Sequence, residues 1–267
     1  MRSITPLSGG CVGDVRLVHL DDGSRVVAKT DPAGAALDVE AFMLGVLRDR
    51  GGAPTPDVIA AEPDLLILAY VPSEGAPSER GLATLAEALA AVHAVTSDRF
   101  GLERDTRLGP LDLPNPWTDS WPEFYGRWRL QAFARLARDA GRLDAGDARR
   151  VDRLCDRLDR LLEPDPTPSL VHGDLWSGNV LWTRGELGAL IDPACCFGVD
   201  EIDLAMMDLF GGFGRAFWDR YHEIRGVREG FWEQRRAIYQ LFPLLVHAHL
   251  FGGGYAGQVR AVLDRFV

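Results

Sequence analysis

Short apolar runs separated by turn residues indicate a small sheet with one helix in the first part of the chain. Residues 15–20 and 25–30 are rich in apolar side chains and flank Asp21-Asp22-Gly23, which is a hairpin turn signal. Apolar residues spaced by three and four positions then predict a helix from about 36 to 50. The continuous apolar run at 65–72 predicts a buried strand.

Helical spacing dominates the remainder of the sequence. Residues 82–95 carry apolar side chains every three or four positions, which predicts a helix, and residues 108–122 form a loop rich in proline and tryptophan. The helices predicted beyond this loop cover residues 121–140, 144–162 and 200–210, with further long helices to residue 267.

These elements predict an α+β protein with two lobes. A small N-terminal lobe, residues 1–72, contains an antiparallel sheet and one helix. A larger, mainly helical C-terminal lobe covers residues 73–267. Proline, serine, glutamate and glycine at about 72–78 form the predicted linker between the lobes.

Composition and charge limit the classes of partner. The 267 residues are 46% hydrophobic and 25% charged, as in an ordinary globular protein. A net charge of −10 and a pI near 5.1 argue against nucleic acid or an anionic membrane as a partner. Nucleotide phosphates can still bind, because a metal ion, one lysine and backbone amides act locally.

The sequence also predicts a reduced, cytoplasmic protein that is a monomer or a homodimer. No apolar run approaches the roughly 20 residues of a membrane helix, and residues 1–6 lack the apolar core of a signal peptide. The cysteines lack the CxxC spacing that is typical of zinc sites; they are Cys11, Cys155, Cys195 and Cys196.

The strongest chemical signal lies between residues 171 and 194. Asp174 is followed five residues later by Asn179, and Asp192 follows an apolar run. The kinase catalytic loop has the same Asp-x-x-x-x-Asn spacing. Phosphoryl transfer from a metal-bound nucleotide needs a carboxylate to accept the hydroxyl proton and oxygen ligands for the metal. Either half alone would be an ordinary turn between strands; both halves in this order predict a catalytic site.

Two charged residues in the first lobe complete this prediction. Lys29 closes a strand after Val-Val-Ala, as does the kinase lysine that reaches the α- and β-phosphates. Glu40 lies within the apolar stripe of the next helix, where a carboxylate needs a cation, and Lys29 is the candidate. A solvated lysine and a solvated glutamate are the simpler alternatives.

Backbone groups are expected to hold the rest of the nucleotide. The glycine-bearing turn allows backbone amides to approach phosphates without a Cβ in the way, although any hairpin uses glycine. A base could pair with backbone groups at the end of the strand near Ala69 and Val71. The residues of the turn that carry this prediction are Ser8, Gly9, Gly10, Cys11 and Gly13.

Most histidines and tryptophans have a structural interpretation. His93 lies on a predicted helix and is expected to be structural, and His247-x-His249 lacks the i, i+4 spacing that places two metal ligands on one helical face. Trp117, Trp121 and Trp176 flank the predicted cleft and are candidates for a substrate wall, with the protein core as the alternative.

Together these motifs resemble the fructosamine kinase (ketosamine 3-kinase) family, within the aminoglycoside-phosphotransferase and protein-kinase-like fold group. The similarity covers essentially the whole chain. His-Gly-Asp alone marks only the wider fold group, whereas the Leu-Trp-Ser-Gly-Asn extension and Leu-Phe-Gly-Gly-Phe are much more particular. The matching segments are residues 8–10, 115–117, 129–130, 172–179, 192–194, 201–206, 209–213, 239–241 and 247–255, with Trp121.

The resemblance implies a protein-kinase-like fold that uses ATP and Mg²⁺ to phosphorylate the 3-hydroxyl of a ketosamine such as fructosyl- or ribulosyl-lysine, a deglycation repair. It implies Asp174 as the catalytic base, Asn179 and Asp192 as metal ligands, and Lys29 with Glu40 as the pair that positions the phosphates. Residues 8–13 would cover the phosphates. The candidate substrate residues are Trp117, Trp176, Glu201 and Phe213.

Some positions depart from the family pattern, and all of them except Ala69 leave the acceptor open. An aminoglycoside or a choline-type hydroxylated amine is the alternative acceptor, and a nucleotide-binding pseudokinase is a further alternative. Cys11 in the glycine turn is either a small residue that fills the turn or a redox-sensitive thiol. The departures lie at Ala69, Thr106, Asp112, Cys195, Cys196 and Asp200.

Overall fold

The N-terminal part of the protein is a five-stranded antiparallel sheet with one helix packed on it. A computed structural model describes residues 3–7, 14–31 and 36–267. The elements of this N-terminal part are β1 (Ser3–Pro6), β2 (Asp14–His19), β3 (Arg25–Thr30), α1 (Leu37–Asp49), β4 (Val58–Glu62) and β5 (Leu65–Ala69). The strands follow the order β1-β2-β3-β5-β4 across the sheet, and the helix α1 connects β3 to β4.

Alternation along β3 directs Lys29 towards the interior of the molecule. Val27 and Lys29 lie two residues apart and therefore share one face of the sheet. Lys29 pairs with Val15 on β2 and with Leu66 on β5, so the strand that carries it is central to the sheet. Leu44 of α1 packs with Leu66 in a small apolar core, which holds the helix on the sheet.

The C-terminal part is mainly helical, with short strand pairs inserted. Its helices are α2 (Glu79–Ala94), α3 (Trp121–Tyr125), α4 (Ala132–Asp139), α5 (Ala145–Cys155), α6 (Leu158–Leu161), α7 (Glu201–Phe210), α8 (Arg215–Ile224), α9 (Arg236–Phe251) and α10 (Tyr255–Phe266). Its antiparallel pairs are β6 (Thr106–Leu108) with β7 (Leu111–Leu113), β8 (Ser169–Val171) with β11 (Cys196–Gly198), and β9 (Val180–Thr183) with β10 (Glu186–Leu190).

A proline inside the buried helix α9 is compensated by a tyrosine from α3. Pro243 has no N–H, so the carbonyl of Tyr239, one turn earlier, loses its usual helical partner. The Tyr125 hydroxyl lies 3.0 Å from both the Tyr239 and the Ile238 carbonyl oxygens. This contact ties α3 to α9 in the middle of the helical core.

The predicted elements differ from the observed ones mainly where short segments interrupt a helix. The predicted helix 121–140 contains a π-helical turn, Gly126–Gln131, and the predicted helix 144–162 breaks between α5 and α6. The predicted loop 108–122 contains the hairpin strand β7. The strands β1 and β4 were not predicted, because both lie at sheet edges and are largely exposed.

Three further expectations from the sequence can be compared with the structure. His93 is buried and contacts the Tyr221 hydroxyl at 2.7 Å, so its structural interpretation is confirmed. No helix within residues 3–7, 14–31 and 36–267 is both long and apolar enough to cross a lipid bilayer. The lobe boundary at 72–78 stays a prediction; here the chain runs between β5 and α2 and forms a bridge from Glu74 to Thr183.

Helix α2 docks directly on the β9–β10 turn, and Gly81 makes this approach possible. A Cβ at Gly81 would lie 2.1 Å from the Gly185 carbonyl oxygen, so we expect Gly81→Ala to lower the free energy of unfolding by about 1–3 kcal/mol. Gly257 occupies the equivalent third position of α10, and a Cβ there would meet nothing within 4 Å.

Gly257→Ala is therefore the matched control and should stabilise the protein by up to about 1 kcal/mol, because alanine is the better helix former. Urea unfolding of both variants measures the difference. Equal effects of the two substitutions would contradict the close packing of α2 against the turn.

Candidate active site

The loop between β8 and β9 is folded tightly against the segment that precedes β11. Gly173 has φ = +82°, and a Cβ at this position would lie 2.2 Å from the Ala194 carbonyl oxygen. The Ala194 N–H also donates to the His172 carbonyl at 2.8 Å. Only glycine fits between these segments in this backbone conformation. Asp174 is therefore presented from a backbone that has little freedom.

Asp203 on α7 holds this loop by hydrogen bonds to its backbone. Its two carboxylate oxygens accept the backbone N–H groups of His172 at 2.7 Å and of Gly173 at 2.8 Å. The same carboxylate lies 3.1 Å from His93 Nε2, and the side chain is fully buried. Asp203 is not among the site residues predicted from the sequence, although a carboxylate on the buried face of a predicted helix signals a need for specific partners.

His172 joins the loop to the segment that carries Asp192. The backbone N–H of Asp174 donates to Nδ1 of His172 at 3.3 Å, and Nε2 lies 3.1 Å from the Ile191 carbonyl. These contacts fit a neutral imidazole with its proton on Nε2. Burial lowers the pKa of His172, which favours the same neutral form.

Asp174 and Asn179 meet inside the loop. Asn179 Nδ2 donates to the Asp174 carbonyl at 2.8 Å and to the Asp174 carboxylate at 3.1 Å. Burial raises the pKa of the Asp174 carboxyl well above its usual value, the Asp192 carboxylate raises it further, and the Asn179 hydrogen bond opposes the rise. The carboxylate of Asp174 is therefore a stronger proton acceptor than an exposed aspartate.

Lys29 contacts two carboxylates, one on the helix α1 and one in the C-terminal part of the protein. Its ammonium donates to Glu40 on α1 at 2.6 Å and makes a second, short contact with Asp192. Burial alone would lower the pKa of Lys29, but attraction to Glu40 and Asp192 outweighs burial and the pKa is raised. Burial raises the pKa of Glu40 to about 7, against the opposing effect of Lys29. The ion pair predicted between Lys29 and Glu40 is present.

The oxygen atoms around Asp192 fit a hard divalent cation. Asp192 has φ = +51°, a conformation that is uncommon outside glycine but tolerated by aspartate. Because the amide nitrogen of Asn179 faces Asp174, its Oδ1 is left as a neutral oxygen ligand. Carboxylate and amide oxygens suit Mg²⁺, which often takes its remaining ligands from water and substrate phosphates. Among the described residues, no group of three or more His, Cys, Asp or Glu could hold a metal by itself.

These side chains face a cleft of about 520 Å³ between the sheet and the helical lobe. Lys29, Glu40, Asp174, Asn179 and Asp192 all line it. Its wall also includes apolar side chains from the sheet and from the segment around β9, namely Val15, Val27, Leu68, Leu181 and Ile191.

Some of the residues predicted to contact the nucleotide base or the substrate line the cleft, and others do not. Ala69, Val71 and Trp176 line it, although the N–H of Ala69 is already bonded to the Asp57 carbonyl at 2.8 Å. Trp117 is 38% exposed and stacks on Phe197, outside the lining residues.

Glu201, Phe213 and Trp121 have structural environments instead of cleft positions. The side chain of Glu201 is 2% exposed, and both of its oxygens accept from Arg235 at 2.7 Å in a buried ion pair, so its contact with a substrate stays a prediction. Phe213 packs on Phe217, and Trp121 is buried with Nε1 bonded to the Tyr239 hydroxyl at 3.2 Å.

The positions that depart from the family pattern are mostly engaged in local contacts. Asp200 is buried and accepts from Arg225 at 2.9 Å and from Arg228 in a shorter contact. Cys195 and Cys196 are buried, and burial raises the pKa of both thiols. The proposed phosphate-covering residues lie outside the described residues; they are Ser8, Gly9, Gly10, Cys11 and Gly13.

Comparison with known proteins agrees with this geometry. The model of the fructosamine kinase family matches residues 1–267. A probable ketoamine kinase of Synechocystis sp. is 43% identical over 180 residues, which cover 66% of this chain and 59% of that protein, less than two thirds of its length. A chloroplastic protein-ribulosamine 3-kinase of Arabidopsis thaliana is 31% identical over 276 residues, which cover 100% of this chain and 83% of that protein.

Solved structures share the fold. A protein from Thermobifida fusca, named provisionally as a fructosamine-3-kinase, has a TM-score of 0.88 and 34% identity, with 98% of this chain and 93% of that chain covered. An aminoglycoside phosphotransferase in a ternary complex with ADP and hygromycin B has a TM-score of 0.65 and 20% identity, with coverage of 98% and 94%. The second similarity concerns the fold alone, and the predicted two-lobed, kinase-like fold is confirmed.

The role of Asp203 predicts a stability difference within α7. Asparagine can accept only one of the two loop N–H groups, so we expect Asp203→Asn to lower the free energy of unfolding by about 1–3 kcal/mol. Asp208 lies on the same helix and pairs with Arg236 at 3.0 Å in a partly exposed position.

Asp208→Asn is the control and should cost about 1 kcal/mol or less, because exposed ion pairs contribute little. Chemical denaturation of the two variants gives the comparison. A cost for Asp203→Asn no larger than that of the control would show that Asp203 does not support the loop.

Proposed function

The chain belongs to the fructosamine kinase family, and we propose that it transfers the γ-phosphoryl group of ATP to the 3-hydroxyl of a ketosamine such as fructosyl- or ribulosyl-lysine. Removal of the sugar from glycated amines would be the consequence. The named relatives support the ketosamine as acceptor, since they are ketoamine and protein-ribulosamine kinases. An ATP-dependent phosphotransferase follows from the same family and fold.

One observation carries the proposal: Asp174, Lys29 and Asp192 lie on a single cleft although they are far apart in sequence. Lys29 touches Asp192 across 163 residues of chain, and Asp192 in turn raises the pKa of Asp174. A proton acceptor, a cation for phosphate oxygens and metal-binding oxygens are the groups that phosphoryl transfer requires. A pseudokinase usually lacks the lysine, the base or the metal ligands, whereas this protein has all of them.

The proposed mechanism relies on positioning. Asp174 accepts the proton of the attacking hydroxyl, and Lys29 contacts the nucleotide phosphates while Glu40 keeps its ammonium in place. Asn179 and Asp192 would hold Mg²⁺, which neutralises charge on the phosphates when it is bound. Because each group is held by a hydrogen bond or ion pair, little rearrangement is needed before reaction.

The acceptor would lie on the helical side of the cleft. This wall contains Trp176 next to the catalytic loop, together with Met206, Tyr239 and Phe251. Aromatic faces with few charges suit a sugar with an alkylamine substituent. The lobe boundary, the glycine turn as a phosphate cover, the cytoplasmic location and the oligomeric state stay predictions.

Asp174→Asn tests the assignment of the base. We expect kcat to fall by about 10²- to 10⁴-fold, because asparagine cannot accept the proton. The Kd for MgATP should change little, since Lys29 and Asp192 remain. Steady-state kinetics and calorimetric titration of MgATP measure the two quantities. Asp219→Asn, which removes a surface carboxylate paired with Arg215, is the control. Near-normal turnover of Asp174→Asn would end the assignment.

A panel of acceptors tests the proposed function. At fixed MgATP, rates of ADP formation are compared for fructosyl-lysine, ribulosyl-lysine and an aminoglycoside. We expect a higher kcat/KM for the two ketosamines. Preference for the aminoglycoside would replace the acceptor, and nucleotide binding without any acceptor-dependent transfer would indicate a pseudokinase.

A further inference from the structure

Arg107 places a positive charge in the cleft that the mechanism above does not use. Arg107 belongs to the β6–β7 hairpin. Four successive residues of this hairpin line the cleft: Arg107, Leu108, Gly109 and Pro110. The predicted loop begins at residue 108, so it covers only the later part of this hairpin. Two positions that depart from the family pattern lie beside Arg107: Thr106 precedes it, and Asp112 is its cross-strand partner.

The hairpin is anchored to the helical core directly beside Arg107. Asn115 Nδ2 donates to the Thr106 hydroxyl at 2.8 Å, and the buried Arg129 donates to Asn115 Oδ1 at 2.5 Å. Arg107 itself donates from Nη2 to the Pro110 carbonyl at 2.6 Å across the turn. The guanidinium is therefore held in place before any ligand binds, and little side-chain entropy remains to be lost.

The charges of the described cleft residues leave Arg107 poorly neutralised. Lys29, the other cation there, is bonded to both Glu40 and Asp192. The carboxylate nearest to Arg107 is Asp112, at 3.5 Å, and its side chain is 83% exposed while that of Arg107 is 22% exposed. Water screens such an exposed partner, so the pair is weak.

The Nε atom of Arg107 points to the same conclusion. This nitrogen is buried and has no hydrogen-bond partner among the described residues. Buried donors nearly always have an acceptor, so an unpaired one in a residue that lines the cleft needs an explanation. The guanidinium is therefore not fully satisfied by protein groups.

From these observations we propose that Arg107 binds an oxyanion of a substrate in the cleft. The proposal rests on the proposed function and adds a recognition element to the same site. Arginine presents several N–H donors in one plane, which match the oxygens of a carboxylate or a phosphate. The oxyanion has two possible sources: the phosphates of the nucleotide, or a carboxylate on the acceptor, as in a free fructosyl-amino acid.

Kinetics of R107Q with two acceptors distinguish these sources. One acceptor is fructosyl-lysine with its free carboxylate, and the other is the same compound with the carboxylate converted to an amide. A charge-assisted hydrogen bond corresponds to about 10- to 100-fold in affinity. If the acceptor carboxylate is bound, the KM for fructosyl-lysine rises by this factor and the KM for the amide does not. If a phosphate is bound, the KM for MgATP rises with both acceptors.

Two further variants make the comparison specific. R104Q removes the same charge three residues away, where Arg104 pairs with Asp38 at the surface, and it should change neither KM. D112N removes the weak competing carboxylate and should lower the KM that R107Q raises. R107K retains the charge without the planar donors and should restore part of the lost affinity.

Effects of R107Q that are below twofold, or equal to those of R104Q, would overturn the proposal. An increase of the same KM in D112N would also contradict it. Direct titration of fructosyl-lysine and MgATP separates this result from the proposed function. If the wild-type protein phosphorylates neither acceptor, the proposed function is wrong; the Arg107 proposal then requires that R107Q still weakens the Kd of one ligand.

Discussion

The arrangement of the site depends on one buried interaction, the contact of the Lys29 ammonium with Glu40 and Asp192. Lys29 comes from the sheet, Glu40 from α1 and Asp192 from the C-terminal lobe, so one cation joins three separate elements. Without it, two carboxylates would face each other in a partly buried cleft, which is unfavourable because an unpaired charge loses its hydration. The same contact places the Lys29 ammonium beside Asp192, which is proposed to hold the metal. In the proposed mechanism, a nucleotide phosphate would take over part of the contact that Lys29 makes with these carboxylates.

A fully buried acid, Asp203, holds the C-terminal half of the site. Asp203 accepts two backbone N–H groups of the loop between β8 and β9 and contacts His93, while His172 connects this loop to the Asp192 segment. Asp174 and Asp192 are thus set by different elements that share one network of hydrogen bonds. Gly173 has a positive φ, and this network holds the loop in that conformation. The Asp174 carboxyl, whose pKa is raised, is thereby kept in a fixed place.

Much of this site could be predicted from the sequence because its strongest signals are local. The Asp-x-x-x-x-Asn spacing, the lysine after Val-Val-Ala and the acid inside an apolar helical stripe each reflect a short segment. The ion pair of Glu201 with Arg235 could not be predicted, because the two residues are 34 positions apart and only the fold brings them together. The strand β7 lies inside the predicted loop 108–122, and the pattern does not reveal it because the strand is only three residues long and its hairpin is held by Asn115 and Arg129. Asp203 escaped assignment for the same reason, since its partners are backbone groups of a distant loop.

The proposed function is that of a kinase whose cleft, lined by Lys29, Asp174 and Asp192, would transfer phosphate to a sugar hydroxyl. The most direct test is the identity of the product. Wild-type protein, MgATP and fructosyl-lysine are incubated, and the phosphorylated carbon is located by phosphorus–proton correlation NMR. The account predicts phosphate on the 3-hydroxyl of the sugar. Phosphate at another position, or no phosphorylated ketosamine while ATP is consumed, would contradict it.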